Sequence, residues 1–163
     1  LKKWIWIISL LIILIIGYVI ASFMVGVKGH TKEEEKGIAL AKEKGGLESV
    51  SEFYKFNGKK AYYVAIGKDS KGVKQVVWIP KKGDDPAILK RKYSEGVTRS
   101  EILEKANSLN PAKIISAKIG MIEFKGDKNR EIWEVVFKDD KGKLNYYYYD
   151  FFTGEMLRNY ENI

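Results

Sequence analysis

Two stretches of this 163-residue chain, offset by 70 positions, align without a gap. Tyr62-Tyr63-Val64-Ala65-Ile66-Gly67-Lys68-Asp69-Ser70-Lys71-Gly72 lies on Ile132-Trp133-Glu134-Val135-Val136-Phe137-Lys138-Asp139-Asp140-Lys141-Gly142, with Lys, Asp, Lys and Gly identical at the ends and Tyr63 matched by Trp133. Each reads as a strand running into a polar turn whose glycine takes a positive φ. A further strand follows each turn, Lys74 to Ile79 and Leu144 to Tyr149. An earlier strand precedes each, Val50 to Phe56 before Asn57-Gly58 and Ile114 to Phe124 before Gly126-Asp127. Two copies of one small unit restrict the fold more than any other feature of the chain. The turns are too short for parallel crossovers, so each sheet is antiparallel.

Each copy also opens with a helix. Thr31-Lys32-Glu33-Glu34 and Thr98-Arg99-Ser100-Glu101 both have the spacing of a capping box. Ile38, Leu40 and Ala41 supply apolar residues to the first helix, which Gly45-Gly46 ends. Ile102, Leu103, Ala106 and Leu109 form a stripe on the second, which Asn110-Pro111 stops. The expected class is α+β, one helix packed on an antiparallel sheet, twice over.

Ahead of both copies, Trp4 to Val27 is a run of 24 uncharged residues dominated by Ile, Leu and Val. As a helix it measures about 36 Å at ~1.5 Å per residue, enough to cross a ~30 Å hydrocarbon core. Trp4 and Trp6 at one end, Phe23 and Lys28 at the other, suit the interfaces. A cleavable signal needs an apolar region of only about 7–15 residues and a small-x-small site, which Ala21-Ser22 before Phe23 and Met24 does not provide. An uncleaved anchor is the expectation. Lys2 and Lys3 keep the short tail in the cytoplasm, against the opposing pull of Lys28, Lys32 and Lys36. Residues 1–28 are then a cytoplasmic tip and single-pass cell-membrane anchor. Residues 29–95 are the first extracytoplasmic unit and 96–163 the second.

Six of the seven residues from Tyr146 to Phe152 are aromatic. In a strand Tyr146 and Tyr148 share one face, Tyr147 and Tyr149 the other. Only one face meets the helix, so one pair is core and the other meets water, a neighbouring unit or a ligand. Trp78 with Tyr147 and Tyr149 is the expected partner-binding surface, and the edge strands offer free backbone groups as a docking rail.

The residues also carry a resemblance. Val97 to Leu157 resembles a PepSY-type domain, with a helix capped near Thr98, an alternating strand pair around a Lys-Gly turn, and the closing Asp150-Phe151-Phe152-Thr153-Gly154-Glu155. The Tyr62-Tyr63-Val64 and Val76-Val77-Trp78-Ile79-Pro80-Lys81 strands resemble the first domain of the YpmB/TseB-like family of Bacillus and relatives. A span followed by two such domains matches that family over essentially the whole chain. The resemblance implies two tandem cystatin-like units and regulation of cell-wall elongation through contact with an elongation-specific penicillin-binding protein. PepSY and cystatin-like analogy also leaves an inhibitor or regulator of an extracellular protease open, though fold analogy is a weak warrant.

Composition argues against catalysis. There is no cysteine, and the single histidine, His30, sits in the juxtamembrane linker, so neither a Ser-His or Cys-His pair nor a zinc set can form. No Gly-rich phosphate loop opens a helix. Asp84-Asp85 and Asp139-Asp140 fall in polar turns, where solvated carboxylates are the ordinary reading. No catalytic residue, metal or cofactor is expected. Charge is the better lead. Residues 31–97 hold 15 Lys and Arg against 10 Asp and Glu, whereas 98–163 balance at 11 against 11. Lys81, Lys82, Lys90, Arg91 and Lys92 form the expected anion-attracting patch, facing lipid headgroups or anionic wall polymers, or solvated with no partner. Nucleic acid is excluded by topology.

Overall fold

The repeated Lys-Asp-x-Lys-Gly segment closes the same turn twice. In this computed structural model, which describes residues 31–81, 87–124 and 128–163, Asp69 Oδ1 accepts hydrogen bonds from the Lys71 and Val73 amides, both at 3.0 Å. Asp139 Oδ1 accepts from Lys141 and Lys143 at 3.0 and 2.8 Å. Gly72 and Gly142 both take φ of 76°, a value that a side chain would strain. Asp139 is thus a turn-former, and its carboxylate is spent on the backbone.

The elements run α1 (Lys32–Glu43), β1 (Ser49–Asn57), β2 (Ala61–Lys68), β3 (Lys74–Pro80) and β4 (Leu89–Lys92), then a 3-10 turn (Tyr93–Glu95). They continue with α2 (Arg99–Asn107), β5 (Lys113–Phe124), β6 (Lys128–Lys138), β7 (Leu144–Asp150) and β8 (Met156–Tyr160). Two four-stranded sheets result, β1-β2-β3-β4 and β5-β6-β7-β8, with antiparallel neighbours throughout. The α+β class follows as expected from the repeat. Each sheet gains a fourth strand that hydrophobic alternation does not announce, because β4 (Leu-Lys-Arg-Lys) and β8 (Met-Leu-Arg-Asn-Tyr) are short, largely solvated edges. At α2 the capping box is complete: Thr98 Oγ1 accepts from the Glu101 amide, and the Thr98 amide donates to Glu101 Oε2 at 2.6 Å.

By contact the chain divides into Leu1–Glu33 and Glu34–Ile163, and the second unit contains both sheets. The expected span Trp4 to Val27, together with His30, Lys82, Asp84-Asp85 and the Gly126-Asp127 turn, lies outside the described residues. Among the described residues no helix is long and apolar enough to cross a membrane.

The core explains why the two halves form one unit. Tyr63, Ala65, Val77 and Ile79 line one face of the first sheet and pack with Ala41 of α1 and Leu47. Tyr62, Val64, Ile66, Val76 and Trp78 line the other and merge with Ile102, Ala106, Ile119, Trp133 and Phe151 of the second half. The first sheet is therefore buried on both faces. Six polar contacts fix the register between halves. Trp78 Nε1 donates to the Gly120 carbonyl at 3.0 Å. The Tyr54 hydroxyl donates to the Ile119 carbonyl and accepts from the Ile119 amide, both at 3.0 Å. Arg91 pairs with Glu131 at 3.0 Å, and Lys59 and Lys60 pair with Glu123 at 2.6 and 3.3 Å. Gly120 has no side chain because the Phe56 ring fills that space.

Tyr54→Phe removes one oxygen that serves two buried backbone groups. It is expected to cost about 1–3 kcal/mol in urea unfolding, whereas Tyr146→Phe on the open face should stay within about 0.5 kcal/mol. Equal losses from the two would refute the role given to the Tyr54 hydroxyl.

Candidate partner-binding surface

β7 alternates cleanly. Asn145, Tyr147 and Tyr149 are buried, Tyr146 and Tyr148 half-exposed. Tyr147 and Tyr149 stand in register with Val135 and Trp133 and join the cluster that holds Ile102 and Ala106 of α2. The Tyr147 hydroxyl donates to the Glu161 carboxylate. Trp78 is 0% exposed, its ring edge-on to Phe151 at 5.8 Å. The expected surface of Trp78, Tyr147 and Tyr149 is corrected accordingly: all three are core residues. The expected alternation holds, with Tyr146 and Tyr148 as the outward pair. Glu134 was the available signal. It pairs in register with Tyr148, so the face holding Tyr146 and Tyr148 is the one that tolerates a carboxylate.

Two cross-strand rows make up that open face. Lys118, Glu134, Tyr148 and Arg158 are register neighbours across all four strands, beside Ser116, Val136, Tyr146 and Tyr160. The Tyr148 and Tyr160 rings meet edge-to-face at 6.0 Å. In the repeat alignment Glu134 stands where the first copy has Val64, and Tyr148 where it has Trp78. Val64 and Trp78 are paired in register and covered by the second half. Their counterparts keep the same pairing and carry polar tips. Burial raises the Glu134 carboxyl above the ordinary glutamate range, and the Tyr148 hydrogen bond and the Lys118 charge only partly oppose this. Tyr148 is itself pushed up, by burial and then by the Glu134 charge.

The face ends at β8, the outermost strand. Reciprocal bonds between Leu144 and Ile163, at 3.2 and 3.0 Å, carry the pairing with β7 beyond Tyr160. Met156, Tyr160 and Ile163 are 56%, 46% and 65% exposed, a concentration of apolar surface along one edge. The other edges are managed. β5 has its Ile119 backbone engaged by Tyr54, β4 has four residues of which three are basic, and β1 is bulged between Val50 and Glu52. β8 is short and is itself bulged where it pairs with Tyr148 and Tyr149, but unlike the others it carries exposed apolar side chains along its length.

The basic patch is only partly assembled. Lys90 and Lys92 are exposed on β4, but Arg91 between them turns to the opposite face and pairs with Glu131. Lys81 is exposed, its ammonium 5.9 Å from the Tyr63 ring centre. No group of three or more His, Cys, Asp or Glu side chains is placed to hold a metal among the described residues.

A family model described as "Cell wall elongation regulator TseB-like domain" matches residues 36–80, from α1 through β3. The "Probable cell wall elongation regulator TseB" of Bacillus subtilis (strain 168) is 34% identical over 131 residues, spanning 78% of each chain. This chain belongs to the TseB-like family. The solved structure of the YpmB protein from Bacillus subtilis is similar to it at a TM-score of 0.68 and 27% identity, covering 81% of this chain and 99% of that one.

For this TseB-like chain the site makes a pH prediction. A carboxyl whose pKa rises on folding weakens the fold above its unfolded pKa, and the penalty disappears as pH falls through the folded pKa. Glu134→Gln is therefore expected to raise the melting temperature at neutral pH and to leave it unchanged below about pH 4, where carboxyls are largely neutral in both states. Thermal melts at the two pH values check this, and an equal shift at both would contradict it.

Proposed function

We propose that this protein is a non-enzymatic, membrane-anchored regulator of cell-wall elongation that binds a penicillin-binding protein outside the cytoplasm. The observation that carries the reading is the apolar β8 edge adjoining the Tyr146–Tyr160 and Tyr148–Arg158 rows. Free backbone donors and acceptors offer a rail for an extended segment, and the rows beside it supply side-chain selectivity. The name of the Bacillus subtilis relative supports the process. The partner class is the one that the family resemblance implies.

The apolar run from Trp4 to Val27, preceded by Lys2 and Lys3, supports anchoring with the N-terminus in the cytoplasm. Lys90 and Lys92 then belong to the membrane-proximal half of the chain, where anionic lipid headgroups or wall polymers would attract them, weakly and in a salt-dependent way.

Crosslinking in cells followed by recovery of the full-length anchored chain tests the proposal. The wild type is expected to recover a penicillin-binding protein of the elongation machinery. An Arg158→Glu, Tyr160→Ala variant, whose two sites are exposed and whose melting temperature should hold, is expected to lose most of it. Absence of any such enzyme from the wild-type sample would overturn the partner. Undiminished recovery by the folded variant would overturn the surface.

A further inference from the structure

Where β5, β6 and β8 approach one another, Phe124, Lys128, Asn129, Arg130 and Leu157 line a cavity of about 470 Å³. That volume falls within the roughly 300–1,000 Å³ of small-molecule sites. Phe124 and Leu157 give it an apolar wall, Lys128 and Arg130 give it positive charge, and among the described residues no Asp or Glu lines it. A third cation stands beside it, the Arg158 guanidinium 5.9 Å from the centre of the Phe124 ring.

The cations are positioned and under-used. Arg130 Nε donates to Asp150 Oδ2 at 2.6 Å, and Asp150 is 1% exposed. Asp150 Oδ1 in turn accepts from the Phe152 and Thr153 amides, both at 2.9 Å, so the carboxylate that holds Arg130 is itself fixed in the β7–β8 turn. Burial alone would raise the Asp150 pKa, but those amides and Arg130 more than offset it and keep the group ionised. The guanidinium is thus tethered by its inner nitrogen. Its terminal nitrogens bond no acceptor among the described residues, and half of the side chain is open. The Lys128 ammonium and the Asn129 amide likewise have no partner among the described residues. Among the described residues Arg158 has only the Tyr160 hydroxyl, at 3.3 Å, as a hydrogen-bond partner. Solvated cations on a flat surface need no apolar wall; these stand beside one, and Arg130 is anchored as well.

We propose that this cavity binds a small amphipathic anion, with a carboxylate or phosphate group held by Arg130 and Lys128 and an apolar body against Phe124 and Leu157. A guanidinium fork fits two oxygens of either head group, and charge-assisted bonds of this kind are the strong ones. The ligand's body is limited to about one ring or short chain by the volume. This site is separate from the Lys81–Lys92 region and does not depend on the identity of any protein partner.

The test titrates the full-length, isotope-labelled chain in neutral-lipid nanodiscs with phenyl phosphate, phenylacetate and benzyl alcohol, following backbone amide shifts. Saturable shifts at Phe124, Asn129 and Leu157 are expected with the anions, and the tighter of the two identifies the head group. Benzyl alcohol should bind at least about tenfold more weakly, as should either anion to Lys128→Gln or Arg158→Gln, since a hydrogen bond to a charged group is worth about that factor or more. Arg130→Gln leaves Asp150 buried without its counter-ion, so the two exposed substitutions carry the decision. Binding of benzyl alcohol as tight as that of the anions would overturn the proposal. So would shifts that do not saturate, or unchanged affinity in both variants at an unchanged melting temperature.

Discussion

The indole of Trp78 joins the two halves of this protein. A four-stranded sheet with one helix of 12 residues across it can cover only one of its faces. The first sheet is apolar on both, so its second face needs the other half of the chain. Trp78 sits at that junction with no exposed surface, its N–H on the Gly120 carbonyl and its ring against Phe151. Removing such a side chain typically costs about 3–5 kcal/mol, a large part of the 5–15 kcal/mol that stabilises an ordinary domain. Once Trp78 is seated, other features follow. Gly120 must be bare to admit Phe56, β5 lies close enough for Tyr54 to engage its edge, and the Asp150–Glu155 turn is carried in by Phe151. An edge that is plugged at β5 leaves β8 as the open side of the second sheet.

The duplicated unit is used asymmetrically, and the asymmetry is written in two positions. Val64 pairs with Trp78 in the first sheet; Glu134 pairs with Tyr148 in the second, at the same places in the repeat. One pair is covered and wholly apolar. The other is half-exposed and polar-tipped, with a carboxyl whose ionisation burial already resists. Among the described residues no comparable unit covers that face of the second copy. A face that is core in one copy has become surface in the other with its backbone register unchanged.

Much of the fold was legible because the signals were local. The Asp69 and Asp139 turns, the Thr98 capping box and the alternation in β7 each depend on a few neighbouring residues, and each formed as its spacing predicts. What escaped depends on distant ones. β4 and β8 have no alternation to read, since an edge strand is specified mainly by the strand beside it. Trp78 on a strand looked like an exposed ring because nothing in its neighbourhood announces that residues from 97 onward will cover it. The choice between Tyr146–Tyr148 and Tyr147–Tyr149 was decidable, by combining the register of the hairpin with the single carboxylate at Glu134. Arg91 left the basic patch for a similar reason: alternation sends it to the face opposite Lys90 and Lys92, where Glu131 waits.

The open face, the free edge and the cationic cavity belong to one sheet, and their physics differs in a useful way. Strand addition at β8 would draw on backbone hydrogen bonds, which are insensitive to salt and largely to sequence. The Lys118–Glu134–Tyr148–Arg158 row adds charge of both signs, which discriminates between partners more than it adds affinity. Among the described residues the charged side chains that line the cavity are all cationic, and it lies beside Arg158. Arg158 belongs to both, as the last residue of the row and as the cation above Phe124. An anion in the cavity would reduce the positive field at Arg158 and so weaken any acidic contact that the row makes. Occupancy of one would then be felt at the other through a single shared charge, without movement of the sheet.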